Sequence, residues 1–307
     1  MIGRDPRLVV TPADDAFHPP TSDDPSWVET VWFPFWIPEE ALSGSVRLWF
    51  QPNAGQQGGA IAGWRGAGEF VFGERWSEPF TAAPDLRDLR LANGLHLRCT
   101  KPLARYEIAH RGERLELDLR FDATMAPNPV APEESPGMFA GHLEQPGRVV
   151  GEVRARGTTR RIDCHSIRDR SWGPRSMPAE LRLGNAHGTA DGFAFFTYVR
   201  PDAEGREPIT SGYLLRDGVA AHIVGGQRST TWRDGVPVAV ALEARDAAGR
   251  TLAASGECVN AMASNAGNGV YAVLNLVRWT HYGGVAWGEN HDVWSETAWL
   301  AAGRPKL

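Results

Sequence analysis

The stretch GERLELDLRFD, residues 112–122, decides the fold, because apolar and charged residues alternate along it. Every second residue from Leu115 to Phe121 is apolar, so an extended strand here would have one hydrophobic face and one charged face. Residues 45–51 alternate in the same way, whereas residues 192–199 are apolar on both faces. We therefore expect 192–199 to be a strand that is covered on both sides or that lines an apolar cavity.

Further strand candidates recur along the chain, separated by turn signals such as RDG, AAGR, HRGE and HYGG. They lie at 27–36, 68–73, 104–110, 148–155, 159–167, 208–215, 218–225, 238–246, 251–257, 270–280 and 284–295. Only residues 38–43 and 83–90 could form short helices, and the glycines of NAGQQGGAIAG (53–63) predict a loop. Many short strands without intervening helices predict an all-β, antiparallel architecture, a sandwich or a barrel.

The number of strands and one short segment divide the chain in two. Roughly eighteen strand candidates are too many for one small barrel and fit two barrels of eight or nine strands. The segment GPRSMPAE (173–180) carries a glycine and two prolines and predicts the junction. We therefore expect one barrel at residues 1–176 and a second at 177–307, with the Pro-rich segment 126–137 as a long loop in the first. A long hairpin with acidic and tryptophan residues in each half is consistent with duplication.

The composition excludes several classes of function. A formal net charge of -5 and a pI near 6.0 argue against a nucleic-acid or anionic-membrane partner. The cysteines Cys99, Cys164 and Cys258 form neither a CxxC motif nor a disulfide framework. No apolar run reaches the ~20 residues of a membrane span, and no signal peptide is visible. We expect a cytoplasmic protein, and a homodimer is left open.

Motifs for cofactor-borne or covalent chemistry are absent from the sequence. There is no GxGxxG between a strand and a helix, no Walker A segment and no GxSxG nucleophile elbow. We therefore expect no cofactor and no bound metal.

The segment RDRSWGPR, residues 168–175, gathers ionisable groups around a tryptophan at the end of a predicted strand. In an apolar pocket Asp169 would have a raised pKa and could act as a general acid, and Trp172 beside it could stabilise a developing cation. Such a pair suits protonation of an alkene or departure of a hydroxyl group. The alternative is structural: Asp169 would pair with an arginine of this segment, and Trp172 would close one end of a barrel.

His142 and Glu144 are predicted to share one face of a strand, and His165 on the neighbouring strand could pair with them. Such a set could shuttle protons or bind zinc, although no H-x-H or HExxH spacing supports a metal. The other explanation is a hydrogen-bonded barrel interior.

Two aromatic segments supply further candidates. The run SWVETVWFPFW (26–36) contains Trp32, which could line a cavity for a flat or isoprenoid ligand or belong to the plug of the first barrel. The last long hairpin contains Trp287 and Glu289. These could face a cavity of the second domain or the domain interface, or could belong to a solvated turn with aromatic anchors.

Three motifs resemble the AttH-like superfamily, which includes the carotenoid 1,2-hydratases (hydroxyneurosporene synthases) and related tandem lipocalin-like proteins. They are W-x-E-T/S-x-x-F at Trp27–Phe33, H-x-E-Q-x-G-x-x-x-G at His142–Gly151 and R-D-x-S-W-G-x-R at Arg168–Arg175. The resemblance implies two packed calycin-type barrels that handle hydrophobic molecules without an organic cofactor. It also implies an acidic residue that protonates an isoprenoid double bond, and Asp169 and Trp172 lie in the most specific motif.

The leading hypothesis is a cofactor-independent hydratase, lyase or isomerase for a small terpenoid, steroid or aromatic substrate held in a barrel cavity. Asp169 would be the general acid, and His142 or His165 would position water. Residues predicted to contact substrate or orient the acid are Trp172, Arg170, Arg175, Glu144, Trp32, Trp287 and Glu289. The alternatives are a lipocalin-like carrier without catalysis and a zinc-assisted hydrolase that uses His142 and His165.

Overall fold

The structure, a computed structural model, describes residues 1–134, 137–176, 178–267 and 269–307. The regular structure of these residues is almost entirely antiparallel strand, with one short α-helix, α1, at Glu296–Ala301 and four 3-10 helices of three or four residues. No helix in the described part of the chain is long and apolar enough to cross a membrane. The strands form two sheets, one from each half of the chain.

The first sheet contains the strands β1 to β11. Their bounds are β1 Trp27–Ile37, β2 Leu42–Gln51, β3 Gln56–Arg65, β4 Glu69–Pro79, β5 Asp88–Arg90, β6 Leu95–Lys101, β7 Arg105–Arg111, β8 Leu115–Ala123, β9 Asn128–Val130, β10 Gly141–Ala155 and β11 Thr158–Pro174. The order across the sheet is β4-β3-β2-β1-β11-β10-β8-β7-β6-β5, with β9 added to β10. This sheet curls into a half-barrel whose two end strands do not pair among the described residues.

The second sheet contains the strands β12 to β20. Their bounds are β12 Arg182–Ala190, β13 Phe193–Val199, β14 Glu207–Arg216, β15 Val219–Arg233, β16 Val236–Asp246, β17 Thr251–Cys258, β18 Met262–Gly267, β19 Val270–His281 and β20 Gly284–Ser295. The order is β17-β16-β15-β14-β13-β12-β20-β19-β18, and β17 also pairs with β19. That pairing closes eight strands into a barrel.

The predicted all-β chain of two tandem barrels is confirmed, with the first barrel half open and the second closed. Several local predictions were wrong. Residues 56–65 form β3 and not a loop, 182–190 form the unpredicted β12, and 83–90 end in β5. The boundary at 176/177 stays a prediction, and Met177 of the predicted junction lies outside the described residues.

The inner face of the first sheet encloses an apolar core and the N-terminal segment 12–18. Val31, Phe33 and Phe35 belong to this core. Asp15 of this segment is buried, and its carboxylate accepts hydrogen bonds from the Tyr106 hydroxyl at 2.6 Å and from the backbone N–H of Leu103 at 2.7 Å. The hollow of the first sheet is therefore filled by the protein's own chain.

The outer face of the first sheet packs against the second barrel. Ile167 on β11 shares an apolar cluster with Phe196 and Tyr198 on β13 and with Tyr213 on β14. β13 is buried at every residue, because Phe193 and Phe195 point into the barrel while Phe196 and Tyr198 point to the interface. The prediction that this strand is covered on both sides is confirmed.

Candidate active site between the two barrels

Four side chains form a row across the outer face of the first sheet. Glu144, Asp169, Trp32 and Arg47 lie directly opposite one another on β10, β11, β1 and β2. Directly opposed residues of antiparallel strands point to the same face and are in contact distance. The hydroxyl of Tyr198, from the second barrel, donates a hydrogen bond to Oε1 of Glu144 at 3.2 Å. The row therefore lies between the barrels, and not inside either of them as the hypothesis of a barrel cavity required.

Asp169 is the half-buried carboxyl of this row, and no hydrogen bond or ion pair ties it to any described residue. Burial raises its pKa to about 7, and the neighbouring Glu144 adds to this effect. His142, Arg47 and Arg175 act in the opposite direction. The result is a carboxylic acid that can hold or release its proton near neutral pH.

The arginines beside Asp169 in the sequence bind other partners. Arg168 donates to the side chain of Gln145 at 2.6 Å, and Arg170 forms a buried ion pair with Glu29. Arg175 donates to the hydroxyl of Ser171 at 2.7 Å. The structural alternative, an ion pair between Asp169 and one of these arginines, is therefore not found among the described residues.

His142 and Glu144 form a buried pair next to Asp169. Nε2 of His142 and Oε1 of Glu144 are 2.5 Å apart. Burial raises the pKa of Glu144 well above its ordinary value and lowers the pKa of His142 to about 4. Both shifts favour the uncharged forms, in which Glu144 can donate to His142. Nδ1 of His142 has no hydrogen-bond partner among the described residues.

His142, Glu144 and Asp169 could also bind a cation. Each offers a ligand atom, and these atoms lie within 4.8 Å of one another. One imidazole and two carboxylates are ligands that several divalent metals accept. The zinc alternative paired His142 with His165, which lies outside this group.

His165 and Asp169 share one face of β11 but are four residues apart, about 13 Å at the rise of a strand. Burial lowers the pKa of His165, and its charged neighbours are Asp191, Arg148 and Asp163. The structure therefore does not place His165 in the group formed by His142, Glu144 and Asp169.

Trp172 and Arg170 point to the opposite face of the sheet from Asp169. The ring of Trp172 stacks on His18, with ring centroids 3.6 Å apart, and Arg170 binds Glu29 on the same side. Trp172 is three residues from Asp169, and an odd separation along a strand changes the face. The expected neighbour, Trp172, is thus replaced by Trp32, which lies opposite Asp169 on β1.

The second barrel contributes a group of ionisable side chains on β12 and β20. Oε2 of Glu289 lies 3.1 Å from Nε2 of His291 and 3.8 Å from Nε2 of His187. Burial alone would raise the pKa of Glu289, but the two neighbouring histidines lower it to about 2. Trp287, on the same strand, packs against the core of the first sheet. Both predicted residues of this hairpin, Trp287 and Glu289, therefore lie at the domain interface.

Sequence reasoning missed the residues that reach the site from distant strands. These are Arg47, Tyr198, Tyr213 and, as a site residue in its own right, His291. The hydroxyl of the fully buried Tyr213 has no hydrogen-bond partner among the described residues. The two-faced pattern of β13 could have indicated Tyr198, but no local signal marks Arg47.

Two surface hollows lie elsewhere. One, of about 620 Å³, lies over β6, β7 and β8, and the other, of about 560 Å³, adjoins α1 and Trp232. Neither hollow is lined by a residue of the row or of the Glu289 group.

Comparisons with known proteins give a family and a set of similar folds. The family described as "Domain of unknown function (DUF7064)" matches residues 11–300. No curated protein matches the chain. A protein described as AttH from Nitrosomonas europaea is 14% identical with a TM-score of 0.67, and the match covers 95% of this chain and 98% of that one.

Two further solved structures share the fold at low identity. Kievitone hydratase from Nectria haematococca is 9% identical with a TM-score of 0.54, and the match covers 91% of each chain. CghA is 14% identical with a TM-score of 0.60, and the match covers 97% of this chain and 98% of that one. A second CghA structure, with a TM-score of 0.58, contains Sch210972.

Proposed function

This chain belongs to the family of domains of unknown function DUF7064 and has the AttH-like fold, and on that premise we propose that it is a hydratase-type enzyme. It adds water to, or removes it from, a small hydrophobic molecule bound between the two barrels. The main support for this proposal is the environment of Asp169. This residue has no hydrogen-bond partner among the described residues and is half-buried between Glu144 and Trp32. The name of one similar structure, kievitone hydratase, supports this reaction class.

The proposed reaction needs one acid and one water molecule. The π electrons of a substrate alkene take the proton of Asp169, and the ring of Trp32 lies beside the cation that forms. Water then adds to the cation and loses a proton, so the sum is the addition of one water molecule. No electrons are transferred to an acceptor, and the step requires no organic cofactor. If the same cation instead lost a different proton, the product would be an isomerised alkene and the reaction that of an isomerase.

The site also argues for an enzyme and against a carrier. A carrier's ligand site should be almost wholly apolar, whereas this one contains Asp169, Glu144 and His142 within 4.8 Å of one another. Terpenoids, steroids and aromatic compounds with an alkene remain the proposed substrate classes. Glu144 and Arg47 would contact a polar group of such a substrate.

The test is Asp169→Asn, with Asp163→Asn as the matched control. Asp163 lies on the same strand, is exposed and pairs with Arg148. A panel of terpenoid, steroid and phenolic alkenes is incubated with the protein in ¹⁸O-labelled water, and products are measured by mass spectrometry. We expect label in at least one product, a loss of about 10²–10⁴-fold in rate for Asp169→Asn, and no loss for the control.

Two results would overturn the proposal. Ligands that bind to the wild-type protein but are never converted would identify a carrier. Unfolding of Asp169→Asn, checked by circular dichroism, would show that Asp169 is a structural residue and not the acid.

A further inference from the structure

Two pairs of histidine and glutamate face each other across the interface. His142 and Glu144 are two residues apart on β10, and Glu289 and His291 are two residues apart on β20. In each pair the two side chains share a strand face and are joined through Nε2 of the histidine, at 2.5 Å and 3.1 Å. Each barrel therefore presents one such pair to the other.

The pKa values of the two glutamates are shifted in opposite directions. Burial raises the pKa of Glu144 well above its ordinary value, whereas the histidines around Glu289 lower the pKa of Glu289 to about 2. Pairs of similar groups whose pKa values are driven apart mark the acid and the base of a site. The pair on β10 thus lies on the acid side, and Glu289 on β20 is a carboxylate at neutral pH.

His291 is oriented to accept that proton. Glu289 is a carboxylate, so it fixes the hydrogen of His291 on Nε2, and the lone pair then lies on Nδ1. No hydrogen bond to Nδ1 of His291 occurs among the described residues. This is the arrangement of an imidazole base oriented by a carboxylate.

His291 also stands close to the acid. Its ring centroid is 5.6 Å from that of Trp32, the residue directly opposite Asp169. Glu144 is close enough to both Asp169 and His291 for their charges to affect each other. Trp32 and Glu144 are thus each close both to Asp169 and to His291.

We propose that His291, oriented by Glu289, is the catalytic base that removes a proton from the water molecule during its addition to the substrate. This inference rests on the proposed function. Asp169 gives its proton to the alkene, a lone pair of water forms the new C–O bond, and the proton of that water passes to Nδ1 of His291. His291 then releases its proton to solvent and Asp169 takes one up from solvent, so no proton is gained or lost overall. Glu289, which binds Nε2 of His291, is a positioning residue.

The experiment separates protonation from water capture. Wild type, Asp169→Asn and His291→Gln are incubated in heavy water enriched in ¹⁸O with the substrate that the panel identifies. Deuterium in the recovered or isomerised alkene reports protonation by Asp169, and ¹⁸O in the product reports hydration. We expect Asp169→Asn to lose both signals, and His291→Gln to keep the deuterium signal within a few-fold while hydration falls by about 10²–10⁴-fold. His96→Gln, a change on β6 far from the site, should alter neither signal.

The outcomes of the two variants are distinct. If Asp169→Asn keeps both signals, Asp169 is not the acid of the proposed reaction; if the wild type gives neither signal, the proposed function fails. If Asp169→Asn behaves as expected but His291→Gln keeps hydration, or loses both signals equally, then only the assignment of His291 is overturned.

A second measurement needs no substrate. In protein labelled with ¹⁵N-histidine, the shifts of His291 should show a hydrogen on Nε2 and none on Nδ1, and Glu289→Gln should weaken that preference. A hydrogen on Nδ1 in the wild type would overturn the inference, because that nitrogen could then accept no proton. The measurement also covers the case in which His291→Gln does not fold.

Discussion

The pKa of Asp169 results from opposing effects, because burial and one neighbour raise it while three other neighbours lower it. Burial and Glu144 raise its pKa to about 7, and His142, Arg47 and Arg175 limit the rise. A general acid works best when its pKa is close to the working pH. The same environment means that the ionised form of Asp169 is disfavoured in the folded protein.

We predict that Asp169→Asn stabilises the protein at pH 8 and has little effect at pH 4. The pKa of Asp169 is about 7 when folded and about 3.9 when unfolded. The folded state therefore binds the proton more tightly, and stability is lost as the pH rises from about 4 to about 7. Asparagine does not ionise, so the variant should gain roughly 2–4 kcal/mol in the free energy of unfolding at pH 8.

Urea unfolding of both proteins at pH 4 and pH 8 measures this difference. Asp163→Asn is the control with the opposite expectation, because its hydrogen bond with Arg148 lowers the pKa of that carboxyl. A gain for Asp169→Asn that is the same at both pH values would contradict the raised pKa.

At the residue scale, the sequence predicted the candidate acid and its nearest partners but not the rest of the site. Asp169, His142 and Glu144 were all named as site residues, but His165 and not Asp169 was predicted to pair with His142 and Glu144. Trp172 was predicted to lie beside Asp169 although it is three positions further along the strand, and counting faces would have corrected this. Arg47 could not be predicted, because its position depends on β2 lying next to β1 and β1 next to β11.

At the scale of the element, β11 separates two sets of side chains. Asp169 and Ser171 face the second barrel, while Arg168, Arg170 and Trp172 face the filled hollow of the first sheet. In the hollow, Glu29 on β1 accepts from Arg170 and from the backbone of His18 at 2.7 Å. We therefore expect this inner set to act on stability.

We predict that Glu29→Gln destabilises the protein by roughly 3–5 kcal/mol, because it leaves the buried charge of Arg170 without its ion pair. Urea unfolding measures the loss. Glu69→Gln on β4, which breaks an exposed pair with Arg65, should change the free energy of unfolding very little. Equal losses for the two variants would contradict a structural role for the buried pair.

Strands with strict alternation were predicted well, and glycine-rich strands were not. β3 was taken for a loop because Gly58, Gly59 and Gly63 break its hydrophobic pattern. In the structure these glycines lie against aromatic rings: a Cβ on Gly59 would come within 2.3 Å of Trp76, and one on Gly63 within 2.3 Å of Phe72. The glycines make room for rings from neighbouring strands, which local sequence does not show.

At the scale of the whole molecule, hydrogen bonds as well as apolar packing join the barrels. The buried Asn260, between β17 and β18, donates to the carbonyl of Ala41 at 3.0 Å and to the hydroxyl of Ser43 at 3.1 Å. The side-chain oxygen of Asn260, Oδ1, accepts a hydrogen bond from the backbone N–H of Leu276 at 2.8 Å. Asn260 thus bridges both halves of the chain at a distance from the candidate acid.

We predict that Asn260→Ala lowers the free energy of unfolding by roughly 1–3 kcal/mol, because buried partners are left without hydrogen bonds. Tryptophan fluorescence and far-UV circular dichroism should give coincident urea transitions in the wild type, as expected for two barrels that unfold together. Asn53→Ala, which removes exposed hydrogen bonds within the first half, should cost less. An unchanged midpoint for Asn260→Ala would contradict its bridging role.

The sequence predicted two barrels but not the position of the site between them. Strand count and the Gly-Pro segment were sufficient for the architecture. One face of β10 and β11 packs against the other barrel because the hollow on the opposite face is filled by segment 12–18. The composition of that segment does not indicate that it lies in the hollow. Cytoplasmic location and a homodimer stay predictions.

The filled hollow of the first sheet has a consequence for the shape of the molecules that this protein can accommodate. A barrel with an open end binds a ligand in its interior, so the depth of that cavity limits the length of the ligand. Here residues around Asp15 and Phe17 fill the hollow, and Phe17 packs against Phe50 at 6.1 Å between ring centroids. Under the proposed function, a ligand would instead reach Asp169 along the interface between the barrels, beside the exposed Arg47. Only the reacting end of such a ligand would have to fit there, and a long tail would remain outside the protein.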